Sequence, residues 1–329
     1  MSALAPTLQA FFTDRLMRQR QASSHTLSSY RDTMKLLVRF AAECRKVQPV
    51  ELEISDLDSA LISAFLDHRE HDYGNSVRTR NTRLTAIRSL FRYAALRHPE
   101  HAEIIQRVLA IPPKRFERRL VSFLTDAEVE ALLSAPDRIT WVGRRDHTLI
   151  ATAVQTGLRA SELIGLQISD VHLGVGPHIS CLGKGRKQRI TPLTTPVAAV
   201  LRSWLSEPRT QGRELVFTTR SGGMLSRDAL EHRLARCVAK AITRCSSFQG
   251  KRITLHVLRH TAAMRLLRAG IDLSIIALWL GHEQMETTQI YLHADLALKE
   301  KALARTTPVN TFPGRYRAPD TLLAFLEAL

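Results

Sequence analysis

Two consecutive prolines, Pro112 and Pro113, divide the chain into stretches of different character. Proline lacks the amide hydrogen that a helix interior needs and clashes with the preceding turn, so no regular helix continues through this point. The stretch that follows, KRFERRLVSF, is basic and holds no sustained period, which marks residues 113–122 as a linker. Before the prolines, residues 7–112 read as helical throughout; after the linker the pattern is mixed. With 329 residues, each half is long enough to bury a core of its own.

In the first half, TLQAFFTDRLMRQR places Leu8, Phe11, Phe12 and Leu16 on one stripe. SSHTLSSYRDTMKLLVRFAAEC opens on Ser/Thr caps and repeats Tyr30, Met34, Leu37 and Phe40 at helical spacing. DLDSALISAFLDHRE reads as another helix. In SVRTRNTRLTAIRSLFRYAALRH, Leu84, Ile87, Leu90, Phe91 and Ala94 turn inward. Arg78, Arg80, Arg83, Arg88 and Arg92 are expected on the opposite side, with almost no compensating acid among them. Such a run is either a solvated face or a contact with a phosphate backbone. The whole-chain balance favours the second: Lys+Arg 47 against Asp+Glu 31 gives a net charge of +16, which points to nucleic acid. Lys114 and Arg115 in the linker suit the same partner.

The second half opens with a capping box, Thr125 to Glu128, ahead of VEALLSA. RRDHTLIATAVQTG is a helix ended by Gly157, and RASELIGLQISDV begins another. HISCLGKGRKQRITPL reads as a β-hairpin, with Ile179, Cys181, Ile190, Pro192 and Leu193 flanking a Gly-Lys-Gly turn. Three helices follow. One is stopped by Gly270, a short one by Gly281, and a third is capped by Thr287 or Thr288. The last helix, DTLLAFLEAL, carries an apolar face that must pack either on its own domain or on a neighbouring protomer.

The second half also carries an ordered set of chemistry-bearing residues: Arg159 in TGLRASEL, Lys184 in the hairpin turn, His256 and Arg259 in HVLRH, His282 in LGH and Tyr291 in TTQIYLH. A guanidinium grips phosphate oxygens in a bidentate fork. Imidazoles exchange protons near neutral pH. A tyrosine hydroxyl can attack covalently once cations or a base assist it, since its ordinary pKa is about 10. His256 and Arg259 stand at i and i+3, so both are expected on one helix face and near one phosphate. Glu162, one turn after Arg159, can hold that arginine in place. Lys184 is solvated unless the hairpin folds over a phosphate, where its ammonium can protonate a leaving oxygen.

Taken together, the motifs resemble those of the tyrosine recombinase family, the phage-integrase-like and Xer-like enzymes. TGLRASELIGL is similar to its first arginine box, GKGRKQRITPL to its hairpin lysine box, HVLRHTAAMRLL to its H-x-x-R box and LGHEQMETTQIYLH to its His-to-Tyr box. SSHTLSSYRDTMKLLVRFA resembles the family's helical core-binding domain. The resemblance implies a mainly α fold with a small β-hairpin or sheet. Residues 1–112 would be a SAM-like DNA-binding domain, 113–122 a basic linker, 123–305 a mixed α/β catalytic domain and 306–329 a tail with an exchangeable helix. It implies that Arg159 and Arg259 hold the scissile phosphate, Lys184 is the acid for the 5′-oxygen, and His256 assists the proton of Tyr291. His282 would bond the phosphate, and Glu162 would support the site. Arg186 and Lys187 beside Lys184 are expected to touch DNA, as are Arg78, Arg80, Arg83, Arg88, Lys114 and Arg115.

The same resemblance implies a C-shaped clamp on double-stranded DNA bearing inverted repeats, and a homo-tetramer, with or without related recombinase protomers, that exchanges strands through a Holliday junction. It implies no metal, no ATP and no cofactor. A mobile-element integrase or transposition recombinase is the first expectation, Xer-like dimer resolution the second. A DNA-binding protein without strand exchange, or a type IB topoisomerase, is the expectation of another class. No apolar run approaches the ~20 residues of a membrane span. Four scattered cysteines suggest neither a zinc site nor a disulfide framework, which suits a reduced cytoplasm, and DNA as partner implies association with the nucleoid.

Overall fold

The computed structural model describes residues 4–116, 121–183, 188–281, 288, 290 and 291. Lys184, Arg186, Lys187, His282, most of the expected third helix and the whole 306–329 tail lie outside these residues. The chain divides into two compact units, Met1–Arg118 and Arg119–Leu329.

The named elements among the described residues of the first unit are helices. A short helix α1 (Leu4–Ala10) runs into a π-type segment, Phe11–Gln19. There follow α2 (Ser24–Arg45), α3 (Ser59–His71), α4 (Val77–Ala94) and α5 (Ala102–Ala110), which ends just before the two prolines. Ser23, Asp58 and Ser76 cap α2, α3 and α4 by accepting hydrogen bonds from backbone amides, which satisfies donors that a helix start leaves open. The expected stripes form the core. Phe11, Leu37, Phe65, Ile87 and Val108 are fully buried, each large apolar side chain contributing about 1.5–3 kcal/mol.

One expected face is corrected. Arg80 does not point outward with its neighbours but is 5% exposed, ion-paired with Glu70 (3.4 Å) and Asp67 (3.8 Å) of α3. Lys114 joins the same two carboxylates at 2.9 and 3.5 Å. The acids that the run lacks in sequence arrive from the facing helix. Arg78 and Arg92 are exposed, and Arg83 and Arg88 are half-buried. Arg88 donates to the carbonyl of Ile111. Burial, and then the charge of Arg69, lower the pKa of Arg83.

The second unit combines helices with a three-stranded antiparallel sheet. Its described elements are α6 (Asp126–Leu133), α7 (Trp141–Thr156), α8 (Ala160–Ile164), β1 (Val171–His172), β2 (His178–Leu182), β3 (Gln188–Pro192), α9 (Thr195–Leu205), α10 (Arg227–Ala241), α11 (Leu255–Arg268) and α12 (Leu273–Leu280). The Thr125–Glu128 capping box is present, and Gly157 and Gly281 end α7 and α12 with φ of +66° and +64°. The α8 helix is shorter than its sequence suggests, five residues.

The two strands of the expected hairpin form, and their register decides which side chains turn inward. Register pairs Ile179 with Thr191, Ser180 with Ile190 and Cys181 with Arg189. Because opposite residues share a face, the buried Ile179, Cys181 and Thr191 bring Arg189 inward with them. Ile190 faces solvent, 62% exposed. The carboxylate of Glu162 accounts for the inward turn of Arg189, which pairs with it.

Candidate active site

Arg159 stands as the N-cap of α8, in the extended conformation that a helix start requires. Glu162, at the third helical position, accepts the Arg159 backbone amide at 2.7 Å and the Arg159 guanidinium at 2.7 Å. The cap that starts the helix therefore also fixes the arginine. From the sheet, Arg189 closes both terminal nitrogens on the same carboxylate, Nη1 to Oε1 at 3.0 Å and Nη2 to Oε2 at 2.7 Å. Burial works against ionisation of Glu162, but Arg189 and then Arg159 outweigh it and hold the carboxyl below its usual range.

Arg159 uses its other terminal nitrogen on the carbonyl of Gly281, at 2.8 Å. Arg259, from α11, donates to the carbonyl of Leu280 at 2.6 Å and to that of Gly157 at 2.7 Å. Two arginines a hundred residues apart thus converge on consecutive carbonyls at the end of α12. The glycines permit the approach. A methyl at Gly157 would sit 2.6 Å from Leu280 Cδ2, and one at Gly281 would sit 2.8 Å from Arg189 Nη1. Arg259 is 4% exposed. Burial first, then the charges of Arg159 and Arg189, lower its pKa to about 10, so it stays cationic at neutral pH. A dense positive field with little solvent is suited to an anion with several oxygens.

Tyr291 is 1% exposed and belongs to a small core with Met264, Leu267, Ile276 and Leu280. Its hydroxyl is 3.0 Å from Nδ1 of His260. Burial raises the phenol to about 12, with Arg259 pulling the other way. His256 and Arg259 both lie on α11, three residues apart as expected, but they differ in burial. His256 is exposed while Arg259 is buried, and the His256 ring packs edge-on against His260 with centroids 4.1 Å apart.

The structure therefore gathers Arg159, Glu162, Arg259 and Tyr291, and it places His256 against a residue the sequence reading passed over. His260 was legible as the residue four after His256, on the same helical face. Arg189 was legible only with the hairpin register, which sets it opposite the buried Cys181. Arg78, Arg80, Arg83, Arg88, Lys114 and Arg115 lie in the first unit, and of these Arg80 is buried. Among the described residues, no cluster of His, Cys, Asp and Glu side chains could hold a metal ion, and no helix is long and apolar enough to cross a membrane. The free cysteines Cys181 and Cys237 are buried, and Cys44 is exposed.

Comparison with known proteins places these elements in a family context. Residues 122–297 match the model of the phage integrase family, and residues 10–98 match the phage integrase N-terminal SAM-like domain. The integrase/recombinase y4rC of Sinorhizobium fredii is 54% identical over 328 residues, covering 100% of this chain and 99% of that one. A tyrosine recombinase XerC of Xanthomonas campestris is 33% identical over 297 residues, 90% of this chain and 85% of the relative. The XerH site-specific recombinase in a post-cleavage complex with its difH substrate superposes with a TM-score of 0.69 at 25% identity, covering 87% of this chain and 81% of that one. The Tn1549 transposon integrase bound to circular-intermediate DNA shares the fold, with a TM-score of 0.67 at 18% identity over 93% of this chain and all of that one.

Proposed function

The chain belongs to the phage integrase family of tyrosine recombinases, and from that membership we propose that it cuts and rejoins double-stranded DNA at specific sites through a 3′-phosphotyrosine intermediate. The observation that carries this reading is the convergence of Arg159 and Arg259 on the carbonyls of Gly281 and Leu280. Two guanidiniums fixed side by side can bind the non-bridging oxygens of one phosphodiester and offset the charge that grows on them in a pentacoordinate transition state.

In the proposed reaction Tyr291 Oη attacks phosphorus and the bond to the 5′-oxygen breaks. Lys184 donates a proton to that oxygen, His256 assists proton transfer at Tyr291, and His282 hydrogen-bonds the phosphate. Glu162 keeps Arg159 in place, and the described contacts of Glu162 support that part. Because the phosphotyrosine bond conserves the phosphodiester energy, rejoining by a 5′-hydroxyl needs no ATP, and the arginines supply the positive charge without a call on a metal ion.

Function in the cell would be exerted in the cytoplasm on nucleoid DNA. Four protomers, identical or with related recombinases, would act at inverted repeats and pass through a Holliday junction. A mobile-element integrase or transposition recombinase is the first reading, and the likeness to y4rC, an integrase/recombinase by name, accords with it. Xer-like dimer resolution is the second reading, in keeping with the likeness to a tyrosine recombinase XerC.

The test is covalent capture. On a nicked suicide substrate, wild-type protein forms an adduct that survives denaturing electrophoresis, and Tyr291→Phe forms none while still binding DNA. Adducts in Tyr291→Phe would move the nucleophile elsewhere, with Tyr316 the next suspect. Relaxation of supercoiled plasmid lacking inverted repeats would instead favour a topoisomerase.

A further inference from the structure

If Tyr291 attacks phosphorus, its phenol must lose a proton inside a site that excludes water. Tyr291 is 1% exposed and His260 8% exposed, so bulk solvent does not serve either group in this state. Nδ1 of His260 lies 3.0 Å from Tyr291 Oη, within hydrogen-bond range, and the rings meet edge to face with centroids 5.5 Å apart. His260 follows Arg259 directly on α11, a helix anchored at both arginine nitrogens to the ends of α7 and α12. The imidazole is therefore held by the same rigid element that holds the phosphate-gripping guanidinium.

Resting on the reading of Tyr291 as nucleophile, we propose that His260 is the group that directly takes and returns the Tyr291 proton. In the neutral tautomer with hydrogen on Nε2, Nδ1 accepts the phenol O–H. As Oη forms its bond to phosphorus, that proton passes to Nδ1 and leaves an imidazolium, while the 5′-oxygen departs with a proton from the leaving-group acid. In rejoining, the 5′-hydroxyl attacks and returns its proton to the leaving-group acid, the Oη–P bond breaks, and Oη recovers its proton from His260. Coupling the transfer to the attack avoids a free phenolate in the buried site, where burial has raised the phenol to about 12. His256, exposed and packed edge-on against His260 at 4.1 Å, then influences the nucleophile through this second ring.

The experiment combines His260→Asn with site-specific replacement of Tyr291 by 2,3-difluorotyrosine, a more acidic phenol of almost the same shape. Asparagine keeps a hydrogen-bonding atom near the Nδ1 position and cannot take a proton at neutral pH. Adduct formation is followed in single turnovers on the nicked suicide substrate, with DNA binding measured in parallel. We expect His260→Asn to bind DNA normally and to cleave roughly 10²-fold more slowly. We expect the fluorinated tyrosine to restore most of that loss while changing the His260-containing protein little. Should His260→Asn fail to fold, His260→Gln carries the same comparison. Equal effects of fluorination in both backgrounds, or full cleavage by the variants, would overturn the proposal and leave His260 as packing. Adducts in Tyr291→Phe would instead overturn the reading of Tyr291 itself.

Discussion

Arg189 and Glu162 meet as a two-pronged pair, guanidinium nitrogens on both carboxylate oxygens, with side chains only 8% and 6% exposed. The pair ties the β-hairpin to the first turn of α8, and through Glu162 to Arg159. Removing Arg189 alone strands a buried carboxylate that keeps one partner. Arg189→Ala should therefore lower unfolding free energy in urea by about 3 kcal/mol. Stability equal to wild type would mean that the carboxylate is rehydrated in the variant.

Acid should act through the same carboxylate. Glu162 has a folded pKa below its ordinary value, so its contribution to stability is present above the unfolded pKa of about 4.3 and fades as pH falls through the depressed value. Glu162→Gln should be less stable than wild type at neutral pH and should show a flatter loss of stability below about pH 4.3. Parallel curves for the two proteins over that range, from thermal melts, would contradict the assignment.

Gly157→Ala tests the approach of α7, α11 and α12. The substitution adds a methyl in a left-handed conformation 2.6 Å from Leu280 Cδ2 and 3.2 Å from Ala262 Cβ. It should cost roughly 1–3 kcal/mol in denaturant unfolding. Gly174→Ala, where no atom lies within 4 Å and φ is unexceptional, should be neutral.

Tyr291 should titrate late. Its phenol is raised from an ordinary 10 to about 12, so the neutral form is the one the fold favours. Stability from this group is full below pH 10 and is lost as pH rises toward 12. A difference spectrum at phenolate wavelengths, wild type minus Tyr291→Phe, should rise near pH 12 in protein that is still folded. A rise near pH 10 would show that the ring is hydrated.

The two arginines at the start of α4 should part company. Arg78 is exposed, and Arg78→Ala should weaken DNA binding and reduce the slope of log affinity against log salt by about 1. Arg80 is buried between Glu70 and Asp67, and Arg80→Ala should show itself mainly as lost stability. An unchanged melting temperature in Arg80→Ala would argue that the pair is replaced by water.

Helix starts and stops were legible because their causes are local. Ser23, Thr125 and Gly157 do what their side chains, or the lack of one, dictate wherever they stand. The Arg159–Glu162 arrangement was legible for the same reason, as it lies within one helical turn. Arg80 and Arg189 were not, because each is turned inward by a carboxylate distant in sequence: Glu70 from α3, Glu162 from α8. Periodicity assigns a charged residue to solvent by default and cannot see a partner 10 or 27 residues away. The contact between His260 and Tyr291 spans 31 residues, and only the packing of the small core around Tyr291 reveals it.

Among the described residues, the hydrogen-bond acceptors of Arg259 are main-chain groups, the carbonyls of Gly157 and Leu280. A carbonyl is present whatever residue bears it, so this anchorage survives exchange of Leu280 for another apolar residue that keeps the helix end. Side-chain partners would have tied Arg259 to particular amino acids, each a separate target for mutation. A lineage of such chains can therefore remodel the residues lining α12, and with them the local packing, while the aim of the guanidinium is inherited intact.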